Sequence, residues 1–265
     1  MLDLSTYIII TFVLLYVILP LVLTRLIGVG AICKGADPQE VSFTFDDGPD
    51  PVYTPLLLDL MSKHRVKATF FVLGEKAEQH PELILRMQQD GHLIGIHNYT
   101  HKMNILTPPW VVRRELERSA NAIEAITGER PHYYRPPWGI LSLADLLLAK
   151  HYKFALWSVM GFDWRRNSAE NNLKDTLLRQ ITSASAGSVV LLHDCGNTWG
   201  ADPDAPKYML LALESVLNEL KNSKLHYVRL DEMTLTLSEV HVVHDDHEVS
   251  AFPDSRNEHK SPLLN

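Results

Sequence analysis

The chain has few cysteines and no excess of positive charge. Only Cys33 and Cys195 occur in 265 residues, so the sequence contains no disulfide framework. The formal net charge is −7 at pH 7, and nucleic-acid binding is excluded as a main function because phosphate recognition needs a basic surface. No internal repeat is visible. The length suffices to bury a full core and favours one globular enzyme domain with an appendage at each end.

Charged residues are also missing from residues 4–24 near the N-terminus. This apolar stretch is long enough to cross the hydrocarbon core of a bilayer, so we predict an N-terminal transmembrane helix that anchors the protein to the cell membrane. A cleaved signal peptide is the alternative, but residues 1–5 contain no Lys or Arg and residues 28–31 form only a weak cleavage site. Ile32 precedes Cys33 where a lipoprotein signal needs a small residue, which argues against a lipid anchor.

Short apolar segments alternate with amphipathic helical segments through the rest of the chain. This order predicts an α/β fold with a parallel sheet, although periodicity alone does not separate a closed barrel from an open, doubly wound sheet. Polar candidate site residues follow several strand ends, where barrels of this type keep their chemistry. Strands are predicted at 40–45, 68–73, 93–97, 133–135, 153–157, 188–193 and 227–230, and helices include 109–127 and 207–220.

Two adjacent carboxylates end the first of these strands. Asp46 and Asp47 precede a Gly-Pro turn at residues 48–49, and at such a turn two consecutive side chains can reach one cavity. Two carboxylates in one place raise each other's pKa, and a cation beside them reverses much of that cost. The pattern predicts that one carboxylate binds metal and the other handles a proton. Taken alone, the same four residues would be a polar turn.

Two histidines follow another strand at metal-ligand spacing. His97 and His101 are separated by three residues, which predicts that both rings lie on one side of a helical turn. With Asp47 they form a His/His/Asp set that leaves a coordination position open for water, as in catalytic zinc sites. A metal there would make that water acidic enough to attack a carbonyl.

Three further segments end strands with polar residues. Arg135 follows a Tyr-Tyr pair, and its guanidinium could hold Asp46 in a two-pronged grip. Asp163 lies between aromatic residues, where a buried carboxylate needs a partner. His193 ends a strongly apolar strand and, paired with a carboxylate, could act as a general acid near neutral pH.

These motifs, Thr-Phe-Asp-Asp-Gly-Pro at 44–49 and His-x-x-x-His at 97–101 above all, resemble the polysaccharide deacetylases of carbohydrate esterase family four, with their nodulation-type deacetylase homology domain. The resemblance covers roughly residues 39–230 in the family's motif order. It implies a distorted, incomplete (β/α) barrel that removes N-acetyl groups from peptidoglycan or a chitin-like polymer of N-acetylglucosamine. A divalent metal is implied as cofactor, with zinc expected and cobalt or another divalent ion as alternatives.

The resemblance also implies a role for each matching residue. Asp46 would be the general base, and the metal ligands would be Asp47, His97 and His101. Arg135 would orient Asp46, Asp163 would tune His193, and His193 would protonate the leaving amine. The backbone N–H near Trp138 would help to hold the oxyanion, and Leu192 would line the pocket for the acetyl methyl group.

Three positions depart from the family pattern. Asn98 replaces the usual Ser or Thr after the first histidine, and an amide has a different hydrogen-bonding reach. Trp138 stands where Tyr is common, which widens the floor of the cleft. Met160 occupies a place where Asp is frequent, although the second aspartate of that motif, Asp163, is retained. Metal binding should survive these changes, whereas substrate preference is less fixed by the motifs.

The expected organisation is a membrane anchor and short linker at 1–36, a deacetylase domain at 37–238, and a polar, disordered tail at 239–265. His241, His244 and His247 in the tail offer a second metal site, but solvated disorder is the favoured interpretation.

The charges that follow the apolar span, Arg25 and Lys34, favour a cytoplasmic domain. A cell-wall substrate requires a domain outside the cytoplasm, and we expect this second orientation. The alternatives to a polysaccharide N-deacetylase are an O-acetyl esterase or small-amide hydrolase of the same fold, or a non-catalytic carbohydrate-binding pseudoenzyme.

Overall fold

The structure is a computed structural model and describes residues 3–20, 22, 30–142, 145 and 151–235. The predicted tail at 239–265 and its three histidines lie outside the described residues. The sequence predicts seven strands in this part of the chain, and all seven are present, some of them shorter than predicted. Three further strands, at Ala31–Ile32, Lys34–Gly35 and Val159–Met160, have too few residues for a recognisable alternation. The strands are β1 Ala31–Ile32, β2 Lys34–Gly35, β3 Glu40–Asp46, β4 Thr69–Val72, β5 Leu93–Ile96, β6 Tyr133–Tyr134, β7 Lys153–Ala155, β8 Val159–Met160, β9 Gly187–His193 and β10 His226–Tyr227.

The pairing of the strands curls the sheet into a distorted, nearly closed barrel. Neighbouring strands run in the order β1-β7-β6-β5-β4-β3-β9, and all of these pairs are parallel. Strand β8 pairs with β9, which stands at one end of this order. Strand β7 stands near the other end. Because residues 156–158 alone connect β7 to β8, the two ends of the order must lie close together. The predicted α/β barrel is confirmed, and this closure decides between the two sheet types that periodicity left open.

Helices cover the outside of the sheet. Pro109–Thr127 has the predicted bounds and ends at Gly128, whose φ of 76° suits a residue without Cβ. The helix Ala205–Glu219 begins two residues before the predicted start at 207. The other α-helices of the described domain are Tyr53–His64, Gly74–Gln79, Pro81–Gln89, Arg166–Asn171 and Leu173–Thr182.

Two apolar clusters hold these layers together. The larger one lies between sheet and helices, where alternate residues of β3, namely Val41, Phe43 and Phe45, pack outward. A smaller cluster that includes Phe71 and Val189 lies on the inner face of the barrel. The alternating side of β3 therefore carries Ser42, Thr44 and Asp46 toward the inside. The strand pattern thus directs Asp46 into the barrel.

The N-terminal segment begins with the helix Leu4–Val13, which continues as a π-helix over Leu14–Ile18. Most of its large apolar side chains are exposed. Among the described residues, no helix is both long enough and apolar enough to cross a membrane. The predicted transmembrane helix is therefore not confirmed.

Candidate metal centre

The end of β3 places two carboxylates in one cavity. Asp46 is the last residue of the strand, and Asp47 has a φ of 75°, in the left-handed region. This reversal turns the chain so that both side chains line the same cavity instead of opposite faces of the sheet. The prediction that these neighbours share one site is confirmed.

The two histidines reach the same cavity by a different route from the predicted one. His97 follows the last residue of β5, but residues 97–103 form an irregular loop, so the predicted helical turn is wrong. Asn98 has a φ of 66°, which redirects the chain after His97. The rings of His97 and His101 nevertheless lie 5.3 Å apart between centroids. The left-handed conformation of Asn98 therefore brings the two imidazoles together, as the predicted helical turn would have done.

Asn98 fixes this loop through its side-chain amide. Its Nδ2 donates to the Lys102 carbonyl at 3.2 Å and to Asn104 Oδ1 at 2.8 Å. Its Oδ1 accepts from the Tyr134 hydroxyl at 3.0 Å. The buried Asp145 carboxylate extends the network by accepting from Asn104 Nδ2 at 2.7 Å. The departure at Asn98 thus ties the loop between His97 and His101 to Asn104 and Tyr134.

Asp47, His97 and His101 converge with the geometry of a ligand set. The Nε2 atoms of the two histidines each lie 3.3 Å from Asp47 Oδ1, and the three potential ligand atoms are within 4.8 Å of one another. This Oδ1 is buried and accepts no hydrogen bond. His97 Nδ1 lies 2.7 Å from the Arg135 carbonyl and can donate to it, which leaves the Nε2 lone pair facing Asp47. One carboxylate oxygen and two imidazole nitrogens fit a divalent metal such as zinc.

The local electrostatics favour the protonation states that a metal requires. Burial opposes ionisation of Asp47, but contact with His97 and the positive charge that His101 and His193 can carry hold its pKa well below its usual range. Burial lowers the pKa of His101 to about 4, against the opposing charge of Asp47. At neutral pH the site therefore offers an anionic carboxylate and a neutral imidazole, which are the forms that bind metals.

Two contacts that the sequence does not predict hold Asp47 in place. The Thr198 hydroxyl donates to Asp47 Oδ2 at 2.6 Å. The ammonium of Lys76, a buried residue, donates to the Asp47 carbonyl at 2.7 Å. Both residues lie in segments distant in sequence from Asp47, and neither belongs to a recognisable motif. The first contact leaves Oδ1 as the carboxylate oxygen that faces the histidines.

Arg135 binds Asp46 through one hydrogen bond and not through the predicted two-pronged grip. Its Nη1 donates to Asp46 Oδ1 and to Thr44 Oγ1, both at 2.7 Å. Its other nitrogens donate to the carbonyls of Ala155 and Leu156. These carbonyls occupy the donors that a two-pronged contact would need. Arg135 is fully buried, so this satisfied network fixes the charge beside Asp46.

His193 lies next to Asp46 in the sheet and is paired with Asp163. Strands β3 and β9 are in register with Asp46 opposite His193. Asp163 Oδ2 accepts from the His193 backbone N–H at 2.7 Å, and its Oδ1 lies 3.1 Å from His193 Nδ1. Burial would lower the pKa of His193, but the carboxylates of Asp163, Asp47 and Asp46, with Asp163 foremost, together raise the pKa to about 9. His193 is therefore a cation at neutral pH.

A cavity of about 430 Å³ opens over these residues. Trp138 lines it as predicted, and Met160 lines it too, but the prediction that Leu192 lines the pocket is wrong. Leu192 is buried in the core between sheet and helices, while its neighbour Leu191 lines the cavity. The side-chain alternation of β9 puts Leu191 on the same side as His193. The residue that lines the cavity is therefore the one before the predicted residue.

Together, fold and site define an α/β barrel with a candidate hydrolytic metal centre at the carboxyl ends of its strands. The profile of the polysaccharide deacetylase family matches residues 34–157. A peptidoglycan-N-acetylglucosamine deacetylase of Bacillus cereus is 34% identical over 205 residues, which cover 76% of this chain and 70% of the relative. A peptidoglycan-N-acetylmuramic acid deacetylase of Bacillus subtilis is 35% identical over 158 residues, covering 58% of this chain and 60% of the relative.

Solved structures agree with the sequence relatives. A crystal structure of a peptidoglycan N-acetylglucosamine deacetylase in complex with a hydroxamate-type benzamide ligand superposes with a TM-score of 0.69 at 29% identity. The superposition covers 80% of this chain and 95% of that one. The chain belongs to the polysaccharide deacetylase family. The predicted family and its class of reaction, hydrolysis of a carbon–nitrogen bond in an acetylated polysaccharide, are thereby confirmed.

Proposed function

We propose that the protein deacetylates peptidoglycan, at either its N-acetylglucosamine or its N-acetylmuramic acid residues. The observation that carries this proposal is the convergence of Asp47, His97 and His101 in the cavity that Asp46 and His193 also line. Relatives named for both peptidoglycan reactions match most of the domain and favour this polymer over chitin.

Asp47, His97 and His101 would hold the metal, which we propose to be zinc, with cobalt as the alternative. The donor set of two imidazoles and one carboxylate is typical of catalytic zinc and leaves room for water and substrate. A divalent ion held by these three residues would supply Lewis acidity toward the acetyl carbonyl and toward water.

Asp46 is the proposed general base. Its Oδ1 is occupied by Arg135, and its Oδ2 lies 4.0 Å from His97 Nε2, on the side of the proposed ligands. The guanidinium fixes the orientation of the carboxylate, which can accept a proton from the attacking water through Oδ2. This arrangement keeps Asp46 available for proton transfer while Asp47 serves as ligand.

His193 is the proposed general acid. It is cationic at neutral pH and lines the same cavity as Asp46, so it can give its Nε2 proton to the departing amine nitrogen. Asp163 bonds the opposite ring nitrogen and fixes the direction of the donated proton. The backbone N–H of Trp138 is the proposed oxyanion donor, and Leu191 takes the place beside the acetyl methyl group that was expected of Leu192.

The Asp163→Asn variant should shift the alkaline limb of the rate profile to lower pH. His193 must be protonated to act, so activity is present below its pKa and is lost as the pH rises through that value. The cavity acids Asp46 and Asp47 also raise this pKa, but Asp163 contributes most. Removing its charge leaves burial to lower the pKa, by about one unit or more. The measurement is kcat against pH with chemistry shown to be rate-limiting. An unchanged alkaline limb would contradict the assignment of His193.

Acetate release from a panel of defined substrates tests the proposed polymer. The purified full chain with zinc should release acetate from peptidoglycan and from its glycan strands. The position of the free amine, read by mass spectrometry after muramidase digestion, distinguishes glucosamine from muramic acid. Release from acetylated xylan but from no N-acetylated substrate would instead establish an O-acetyl esterase.

We also propose that the N-terminal segment anchors the protein in the cell membrane, with the domain outside the cytoplasm. The uncharged stretch 4–24 and the exposed apolar side chains of Leu4–Val13 support this proposal. The full chain should remain in the membrane fraction after a carbonate wash, whereas a chain starting at residue 30, which keeps β1 and β2, should be soluble. Protease added to intact cells should degrade the domain, and full protection would reverse the proposed orientation.

A further inference from the structure

Trp199 is the most exposed large apolar side chain in the described part of the protein. It is 83% exposed, although it lines the catalytic cavity together with Trp138. An indole kept in water gives up the stability that burial would provide. Aromatic side chains that stay exposed at the mouth of a cavity are typical of binding surfaces.

The loop that carries Trp199 is held at several points. Lys76 Nζ, which also holds Asp47, donates to Cys195 Sγ at 2.9 Å and to Asn197 Oδ1 at 2.7 Å. Thr198, the residue before Trp199, donates to Asp47. The N–H of Ala201 donates back to the Thr198 carbonyl at 3.1 Å, and that of Asp202 donates to the Trp164 carbonyl at 2.9 Å. The exposed ring therefore projects from an anchored backbone.

The indole rings form a corner that leads away from the proposed metal ligands. The ring of Trp138 lies 4.3 Å from that of His101 between centroids. Trp199 lies 6.4 Å from Trp138, and the two indole planes are inclined at 70°. A sugar in contact with the metal site would thus meet Trp138, and the next sugar of the same chain would reach Trp199.

We propose that Trp199 is a stacking platform for the pyranose ring adjacent to the residue that is deacetylated. This inference rests on the proposed function and adds to it that the enzyme reads a glycan strand rather than a single sugar. One face of a pyranose presents C–H groups that pack against an indole, while its hydroxyls stay in water. Because the loop is anchored, little ordering is needed when the sugar binds.

The test compares how strongly each variant prefers oligomers over a substrate without a second sugar. The full chain with zinc is assayed on the N-acetylglucosamine tetramer and on an aryl acetate. For Trp199→Ala, the ratio of kcat/KM between tetramer and ester should fall about tenfold, mainly through KM. Trp199→Phe should recover most of the ratio. Trp110→Ala removes another exposed tryptophan that does not line the cavity and should leave the ratio unchanged.

Direct binding separates this inference from the proposed function. Calorimetry of the tetramer with Asp46→Asn and with Asp46→Asn/Trp199→Ala needs no turnover, and the second variant should bind about tenfold more weakly. If the wild type released no acetate, the proposed function would fail. The comparison of the two affinities would still show whether Trp199 binds a sugar ring. Equal affinity of the two variants, equal losses on tetramer and ester, or loss of zinc from Trp199→Ala would each overturn the inference. So would tight binding of a muramyl peptide with no measurable binding of the glycan tetramer.

Discussion

The Asp46→Asn variant should lose kcat by a factor of about 10² to 10⁴, the range that a positioned general base contributes. An amide of the same shape keeps the contact with Arg135 Nη1, which lies 2.7 Å from Asp46 Oδ1. It cannot accept a proton at neutral pH. Zinc should remain at one ion per chain, because Asp47, His97 and His101 are unchanged. Acetate release and metal content of the same preparation are the two measurements.

Asp59→Asn is the matched control for this substitution. Asp59 is a mostly exposed carboxylate of the helix Tyr53–His64 that pairs with Arg86 on the surface. Its replacement should change neither the rate nor the zinc content, since surface ion pairs contribute little. An Asp46→Asn enzyme that kept more than about a tenth of the wild-type rate would show that another group takes the proton.

The Asp47→Ala variant should lose both metal and activity. It removes the only carboxylate of the described ligand set and leaves two imidazoles, so zinc affinity should fall by more than the 10- to 100-fold that a supporting contact is worth. Competition against a chromogenic chelator measures the affinity without any need for turnover. Full zinc occupancy in Asp47→Ala would show that the ligand set is wrong.

Thr198→Val provides a graded comparison for Asp47→Ala. It keeps the shape of the side chain but removes the hydroxyl that donates to Asp47 Oδ2. The carboxylate then loses part of its orientation, and zinc affinity should fall by about 10- to 100-fold. The order of affinities should be wild type, then Thr198→Val, then Asp47→Ala. An affinity of Thr198→Val equal to that of the wild type would mean that the other contacts suffice to orient Asp47.

The sequence identifies the chemical groups of the site better than the contacts between them. Asp47, His97 and His101 follow from residue type and spacing, because imidazoles and carboxylates at strand ends of a parallel sheet must meet at one edge. The helical turn at 97–101 is wrong because the left-handed conformation of Asn98 depends on the tertiary bonds of its amide. Local spacing carries no information about those bonds.

The missed residues have a common physical cause. Thr198 reaches Asp47 from a loop, and Lys76 reaches it from the short helix Gly74–Gln79; the placement of both depends on packing across the barrel, not on any periodic pattern. The error at Leu192 is a shift of one residue, which in a strand changes the face of the sheet. Trp199 is the one missed residue with a signal in the sequence: an aromatic residue among Gly, Asn and Thr just after a strand end is typical of a loop at a binding site. The barrel closure between β7 and β8 likewise depends on long-range pairing.

The most direct test of metal-dependent deacetylation is one titration. Acetate release from peptidoglycan is followed in a single preparation that is stripped with a chelator and then titrated with zinc. The stripped protein should release no acetate, and recovery should be linear in zinc and saturate at one ion per chain. Full activity of the stripped protein, or saturation with zinc and no acetate from any acetylated glycan, would contradict metal-dependent deacetylation.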